Sequence, residues 1–323
     1  MRLSLRQYFL TKMQTKAKGL VIGIALSAEG VSLCVLQKSK QGQIEWIKDA
    51  TFGLQDWTEE LQNFAKVNKL LGSDCYVNLT SHHYQLLQID KPNVPDEDMH
   101  SALVWTIKEL ISNDTEYAHD YAQQPIQVGG QDKLSVVAIP KKDIQQISST
   151  IYAAGLKLRA IGIEELSSAL LSPMVDEAVL TLVQEHTEEI VLNIVRNRQL
   201  YFSRRIKGFE NLGGFSEQEL EMGIVDNLCV QIQRSMDFFE SQLRQPPVRK
   251  ILTKLDTPLQ KQLVQQIQEA MDISVELFEP DIVLNEGFNF KMASFSCLGA
   301  AYQAFTNPSK VKNIANDSSK GAI

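Results

Sequence analysis

The chain has little that would anchor it, cross-link it or arm it for catalysis. Four cysteines, Cys34, Cys75, Cys229 and Cys297, are scattered without C-x-x-C spacing across 323 residues. Each falls in a stretch patterned as strand or helix. They read as buried thiols of a reducing cytoplasm, which excludes a disulfide framework or a cysteine zinc site. No apolar run approaches the roughly 18 residues that a membrane helix needs, and no signal-peptide core opens the sequence. Positive charge is short too: 32 Lys and Arg against 39 Asp and Glu leave a net charge of −7. That balance excludes nucleic acid as a general partner, because phosphate binding needs a basic face. Histidine is sparse. His82 and His83 are adjacent in the chain, so a strand turns them to opposite sides. His100, His119 and His186 have no partner at ligand spacing, and the cluster Asp114, Glu116, His119, Asp120 reads as a solvated loop, so no metal site is expected. Neither a G-x-x-x-x-G-K-[ST] loop nor a G-x-S-x-G elbow is present.

What is there is an ordinary globular composition, 44% hydrophobic and 22% charged, in a chain long enough for two domains. Its organising stretch is GLVIGIALSAEGVSLCVLQ, residues 19–37. An apolar run (20–26) reads as a strand buried on both faces. After a polar turn comes a strand in which Val31, Leu33 and Val35 point one way and Ser32, Cys34 and Leu36 the other. A third strand is expected at 44–51, a helix at 57–70 and a short strand at 76–79. The same order returns at 178–183, 190–195, 199–206, 217–243 and 249–253. Two copies of β-β-β-α-β predict an α/β fold duplicated about a cleft, the actin-like (ribonuclease H-like) arrangement that actin, sugar kinases and related ATPases build around a nucleotide.

Between the copies, residues 82–163 read as an inserted β-α-β-β-α-β module. Its strands are expected at 83–90, 120–128, 133–139 and 157–163, with a turn at Gly129-Gly130. Its helices are expected at 97–112, with Asp96 at its start, and from Asp143 to a stop at Gly155. The helix 164–171 returns to the first lobe, which comprises 19–81 and 164–176. The second lobe then occupies 177–305, closing with a helix opened by Ser294. Residues 306–323 read as a disordered end. Residues 1–18 carry Arg2, Arg6, Lys12, Lys16 and Lys18 without an acid, among Leu3, Phe9, Leu10 and Met13. This basic tail reads either as solvated or as facing an anionic membrane surface.

The order of parts, with VVAIPKKDIQQISSTIYAAGLKLRAIGIE (136–164), IVRNRQLYFSRRI (194–206) and the helix VDNLCVQIQRSMDFFESQL (225–243), resembles the PilM family of actin-like type IV pilus assembly proteins. Within it, the chain looks like the divergent MshI branch of the mannose-sensitive haemagglutinin (MSHA) pilus. The resemblance runs from about residue 20 to 305. It implies a cytoplasmic scaffold peripheral to the inner membrane. Such a scaffold binds the N-terminal tail of a PilN-like (here MshJ-like) single-pass partner and contacts other platform proteins. The tail would lie in a groove between first lobe and module, held by apolar side chains and main-chain bonds. No short motif marks that groove; Tyr84, Leu86 and Trp105 are candidates, with module core as their competing assignment.

The resemblance also names three nucleotide loops, and this sequence departs from each. The family's G-I-D-I-G-S turn becomes Gly23-Ile24-Ala25-Leu26-Ser27-Ala28, with Ala25 at the Asp position and Ser27 at the second Gly position. The second phosphate loop, D-I-G in the family, becomes Gln184-Glu185-His186. The adenosine-side S-G-G-G becomes Thr253-Lys254-Leu255-Asp256. Glu29, Glu185, Glu188 and Glu189 add negative charge in the turns. Like charges about 4 Å apart cost about 4 kcal/mol near a protein surface, as much as millimolar binding supplies in total (about 4 kcal/mol). A chain without catalytic residues and without nucleotide is therefore expected. The alternatives are an actin-fold ATPase or phosphotransferase with unusual loops, or carboxylates that gather Mg²⁺ with ATP following.

Overall fold

The computed structural model describes residues 19–306 apart from Ser112 and Asn113. The basic residues Arg2, Arg6, Lys12 and Lys16 and the tail 307–323 lie outside the described residues. Among the described residues no helix is long and apolar enough to cross a membrane.

Strands β1 (Leu20–Leu26), β2 (Val31–Lys38) and β3 (Ile44–Phe52) form an antiparallel meander. Helix α1 (Trp57–Val67) then returns the chain to β4 (Asp74–Leu79), parallel to β1. The alternation in β2 is as expected: Val31, Leu33 and Val35 enter one core, Cys34 and Leu36 another. The continuous apolar run of β1 has the same cause, since Ile22, Ile24 and Leu26 face the first core and Val21 and Ala25 the second.

The inserted module begins after a single 3-10 turn at Ser81–His83. It consists of β5 (Gln85–Asp90), helix α2 (Met99–Ile111), β6 (Tyr117–Gln123) and β7 (Lys133–Pro140), with sheet order β5-β7-β6. Met99, Leu103 and Ile107 of α2 pack on Leu134, Val136 and Ala138 as its small core. The expected elements beyond this point appear, but they belong elsewhere. Helix α3 (Lys141–Ala153) starts at Pro140 with Asp143 inside its first turn, not at the cap. Its Ile147 and Ile151 enter the first-lobe core. Strand β8 (Lys157–Ile163) pairs parallel with β4. The module therefore ends near residue 140. The apolar face of α3 and the hydrogen-bonding edge of β4 draw 141–163 into the first lobe.

Helix α4 (Glu164–Leu171) leads to the second lobe. There β9 (Val179–Val183), β10 (Ile190–Arg196) and β11 (Gln199–Ile206) repeat the meander. The long helix expected at 217–243 is interrupted at Gly223, whose φ of +106° is left-handed and suits a residue without Cβ. Helix α5 (Val225–Asp237) follows the break, with Val225, Leu228, Ile232 and Met236 buried as their spacing predicts. Then come β12 (Lys250–Lys254), α6 (Gln260–Met271) and β13 (Ser274–Leu277).

The two sheets share one connectivity: β3-β2-β1-β4-β8 in the first lobe and β11-β10-β9-β12-β13 in the second. This is the duplicated actin-like fold. Its C-terminal part corrects the expected second-lobe boundary. The two-residue strand β14 (Val283–Leu284) adds to β3 at the edge of the first sheet. Helix α7 (Phe295–Tyr302), opened by Ser294 as expected, lies between the lobes in a core with Val21, Ala25, Cys34, Val179, Val183 and Leu252. Gly23 permits this packing: a Cβ there would stand 2.1 Å from the Cys297 carbonyl oxygen. The glycine thus admits a helix backbone to the strand. All four cysteines are buried and free.

Candidate functional site

The turns after β1 and β9, the end of β12 and the start of α7 converge on the cleft between the lobes. The family resemblance names three of these segments as nucleotide loops, and here they are bonded to one another.

Strand β1 delivers Ala25 into the core, where its methyl packs with Val21, Cys34 and Phe295. Its neighbour across the parallel ladder is Asn78, which donates to the Ser167 hydroxyl and, at 2.7 Å, to the Ser296 carbonyl. The β1–β2 turn is self-contained. Ser27 donates to the Gly30 carbonyl at 3.0 Å and accepts from the Glu29 and Gly30 amides. Glu29 reaches the other lobe, accepting from the Thr187 hydroxyl at 2.5 Å.

The second turn is held far more tightly. Gln184 is fully buried, and all its polar groups are used. Its amide nitrogen donates to the Glu188 and Phe209 carbonyls at 2.9 and 2.8 Å, and its side-chain oxygen accepts from the Asp256 amide at 3.2 Å. Its main-chain carbonyl accepts from Lys254 Nζ at 2.8 Å. Lys254 is itself buried and lies 3.9 Å from Glu185 and 5.9 Å from the centre of the Phe295 ring. Glu185 accepts from the Ser296 amide in the first turn of α7 at 2.9 Å, a position where a carboxylate is favoured. His186 pairs with Asp256 at 2.7 Å, and Glu189 with Lys207 at 3.4 Å. Thr253 is buried, its hydroxyl turned to the Glu276 carbonyl at 3.4 Å. Beside it is a cavity of about 150 Å³ lined by Lys254, Phe278, Leu284 and Phe290 among others.

One cluster in this cleft was missed in reading the sequence. Glu164 and Glu165 open α4, and both are buried. Arg205 on β11 binds both carboxylates, at 2.9 Å to Glu165 and closer still to Glu164. The Tyr84 hydroxyl donates to Glu165 and accepts from Arg205 at 3.2 Å, while the Ser81 amide donates to Glu164 at 3.1 Å. His82 lies 3.6 Å from Glu188, whose other oxygen has no protein partner. Burial pushes the Glu164 carboxyl up to about 8, with Arg205 beside it acting in the opposite sense and Glu165 adding to the rise. Burial and then Glu165 hold the Tyr84 phenol well above its ordinary range.

The three groove candidates are not brought together. Tyr84 is spent inside this cluster and the first-lobe core. Trp105 is 75% exposed on α2, with Lys108 over its ring. Leu86 on β5 has the opposite phase to Leu87 and Ile89, which pack toward α2. It is therefore on the other face of the module, opposite Val137, which packs against the first-lobe core. Leu86 and Tyr84 thus share the side toward the first lobe, Tyr84 buried and Leu86 37% exposed, while Trp105 is on the outer side of α2.

No protein-family model matches the chain, and no curated protein does. Solved structures do. The chain is similar to the PilM–PilN type IV pilus biogenesis complex, with TM-score 0.67 and 16% identity over 89% of this chain and 99% of that one. It is also similar to the cytoplasmic domain of EpsL, an inner-membrane component of the type II secretion system of Vibrio cholerae. That match has TM-score 0.51 and 11% identity over 87% and 94% of the two chains.

Proposed function

We propose that this chain is a cytoplasmic scaffold of type IV pilus biogenesis, of the MSHA type, peripheral to the inner membrane and acting without nucleotide. It binds the N-terminal tail of a PilN-like, MshJ-like single-pass membrane protein. The observation that carries the nucleotide-free part is the bonding of the cleft to itself. Gln184 and Lys254 stand where the family resemblance places phosphate and adenosine loops, and they bind each other and the adjoining backbone. Ala25 gives the metal no carboxylate. A nucleotide would have to break these bonds and leave buried donors and acceptors unpaired, at about 1–3 kcal/mol for each. The partner assignment is supported by the structural likeness to the PilM–PilN complex along nearly all of that chain. The MSHA assignment is supported by the divergent, loop-poor form that the chain gives to the PilM pattern, which looks like the MshI branch.

An extended tail between module and first lobe would meet Leu86 and gain main-chain bonds along the free edge of β5, whose other edge is paired to β7. In this reading the chain catalyses nothing. The test is titration of the synthetic N-terminal tail of a PilN-like membrane protein from the same organism into the full chain, with and without Mg-ATP. Saturable binding with an unchanged dissociation constant is expected, weakened by Leu86→Asp and left intact by Trp105→Ala. Binding that needs Mg-ATP would favour an actin-fold ATPase instead.

A further inference from the structure

The acid-rich cluster between the lobes is built from parts of both lobes and of the helix that joins them. Glu164 and Glu165 come from the connecting helix α4, Arg205 from the edge strand of the second sheet, and Ser81 and Tyr84 from the segment leaving the first sheet. Glu164 faces Arg205, Glu165 on its own helix, the Ser81 amide, and Glu185 from the β9–β10 turn. Glu165 faces Arg205 and the Tyr84 hydroxyl. Close by, the buried Glu188 carboxylate lies 3.6 Å from His82, and its other oxygen has no hydrogen-bond partner. One guanidinium thus stands against two buried carboxylates that it touches directly. Arg205 Nη1 has no protein partner, so a single nitrogen of the fork serves both acids.

A buried, uncompensated carboxylate is expensive, and such a site relieves the cost by taking up a proton. We propose that the contact between the two lobes is proton-linked. The folded form holds one proton within the Glu164–Glu165–Arg205–Tyr84 cluster, and losing it loosens the contact between α4, β11 and residues 81–84. The sense of the linkage follows from the burial of Glu164. With its carboxyl raised from 4.5 to about 8, the folded form retains a proton that the unfolded chain has released between those values. The contribution to stability is complete below about pH 4.5 and is lost as pH rises through about 8.

The test is the pH profile of urea unfolding for the full chain and for Glu164→Gln, which keeps the shape and removes the titration. Linkage to one proton predicts that the ratio of the two proteins' unfolding constants changes about tenfold per pH unit inside that window, with the variant relatively more stable at high pH. Parallel profiles would overturn the proposal. Should the variant not fold, hydrogen exchange in the native protein decides. The Ser81 amide is expected to exchange progressively faster than the Leu33 amide of the first sheet as pH rises from about 4.5 to about 8, the ratio levelling off above that. A constant ratio of the two rates would contradict it.

Discussion

The two halves of the molecule have the same strand order, yet corresponding positions carry different chemistry. The first β2–β3 pair is Val31 with Phe52, and the first β10–β11 pair is Ile190 with Ile206. One residue along, the first half presents Thr51 to solvent, whereas the second presents Arg205, largely buried between the lobes. The hairpin turns differ in the same sense. The first is closed by Ser27 within itself. The second is bound through Gln184 to β12 and to the segment after β11. Duplication supplied two equal frames; Arg205 of the second binds Glu164, Glu165 and Tyr84 across the cleft, while Gln184 fastens its turn within the second lobe.

That asymmetry predicts unequal responses to substitution. The largest is expected at Arg205. Arg205→Ala strands two buried carboxylates and should cost about 3–5 kcal/mol in urea unfolding, against a change within about 0.5 kcal/mol for exposed Thr51→Ala. Gly23→Ala comes next. Its Cβ would meet the Cys297 carbonyl oxygen at 2.1 Å, so α7 must move off β1, at about 1–3 kcal/mol as for other overpacked cores. Gln184→Ala leaves the Glu188 carbonyl and the Asp256 amide unpaired, takes one of two bonds from the Phe209 carbonyl, and should lower the melting temperature, with a cost of about 1–3 kcal/mol. Smallest is Glu29→Ala, which removes one exposed bond to Thr187 and should stay within about 0.5 kcal/mol. Equal effects at Gln184 and Glu29 would erase the distinction between the two turns.

Much of the frame was legible in the sequence because periodicity reports burial. The limits of β1, β8, α4 and β11 stand where the apolar patterns put them. What failed was partnership. Residues 157–163 read correctly as a strand, but nothing in them says that they pair with β4 and not with the module. The break at Gly223 was hidden by apolar spacing that continues across it. Strand β14 has two residues, too few for any period. The cleft cluster was missed because Glu164 and Glu165 look like ordinary acids in the first turn of a helix. A usable signal was that the rest of that helix, LSSALL, has no solvent-facing charge. Tyr84, Leu86 and Trp105 do not form one surface: Tyr84 and Leu86, two residues apart, share the side toward the first lobe, Tyr84 buried there and Leu86 partly open, while Trp105 is on the outer side of α2.

The account stands or falls on whether the cleft accepts a nucleotide, and thermal unfolding of the full chain with millimolar Mg-ATP asks this directly. A site filled to 100 times its dissociation constant would add about 2.7 kcal/mol and a clear rise in melting temperature. No rise is expected. A rise that depends on ATP concentration and is lost on substituting Lys254→Met would show that the lobes still close on a phosphate.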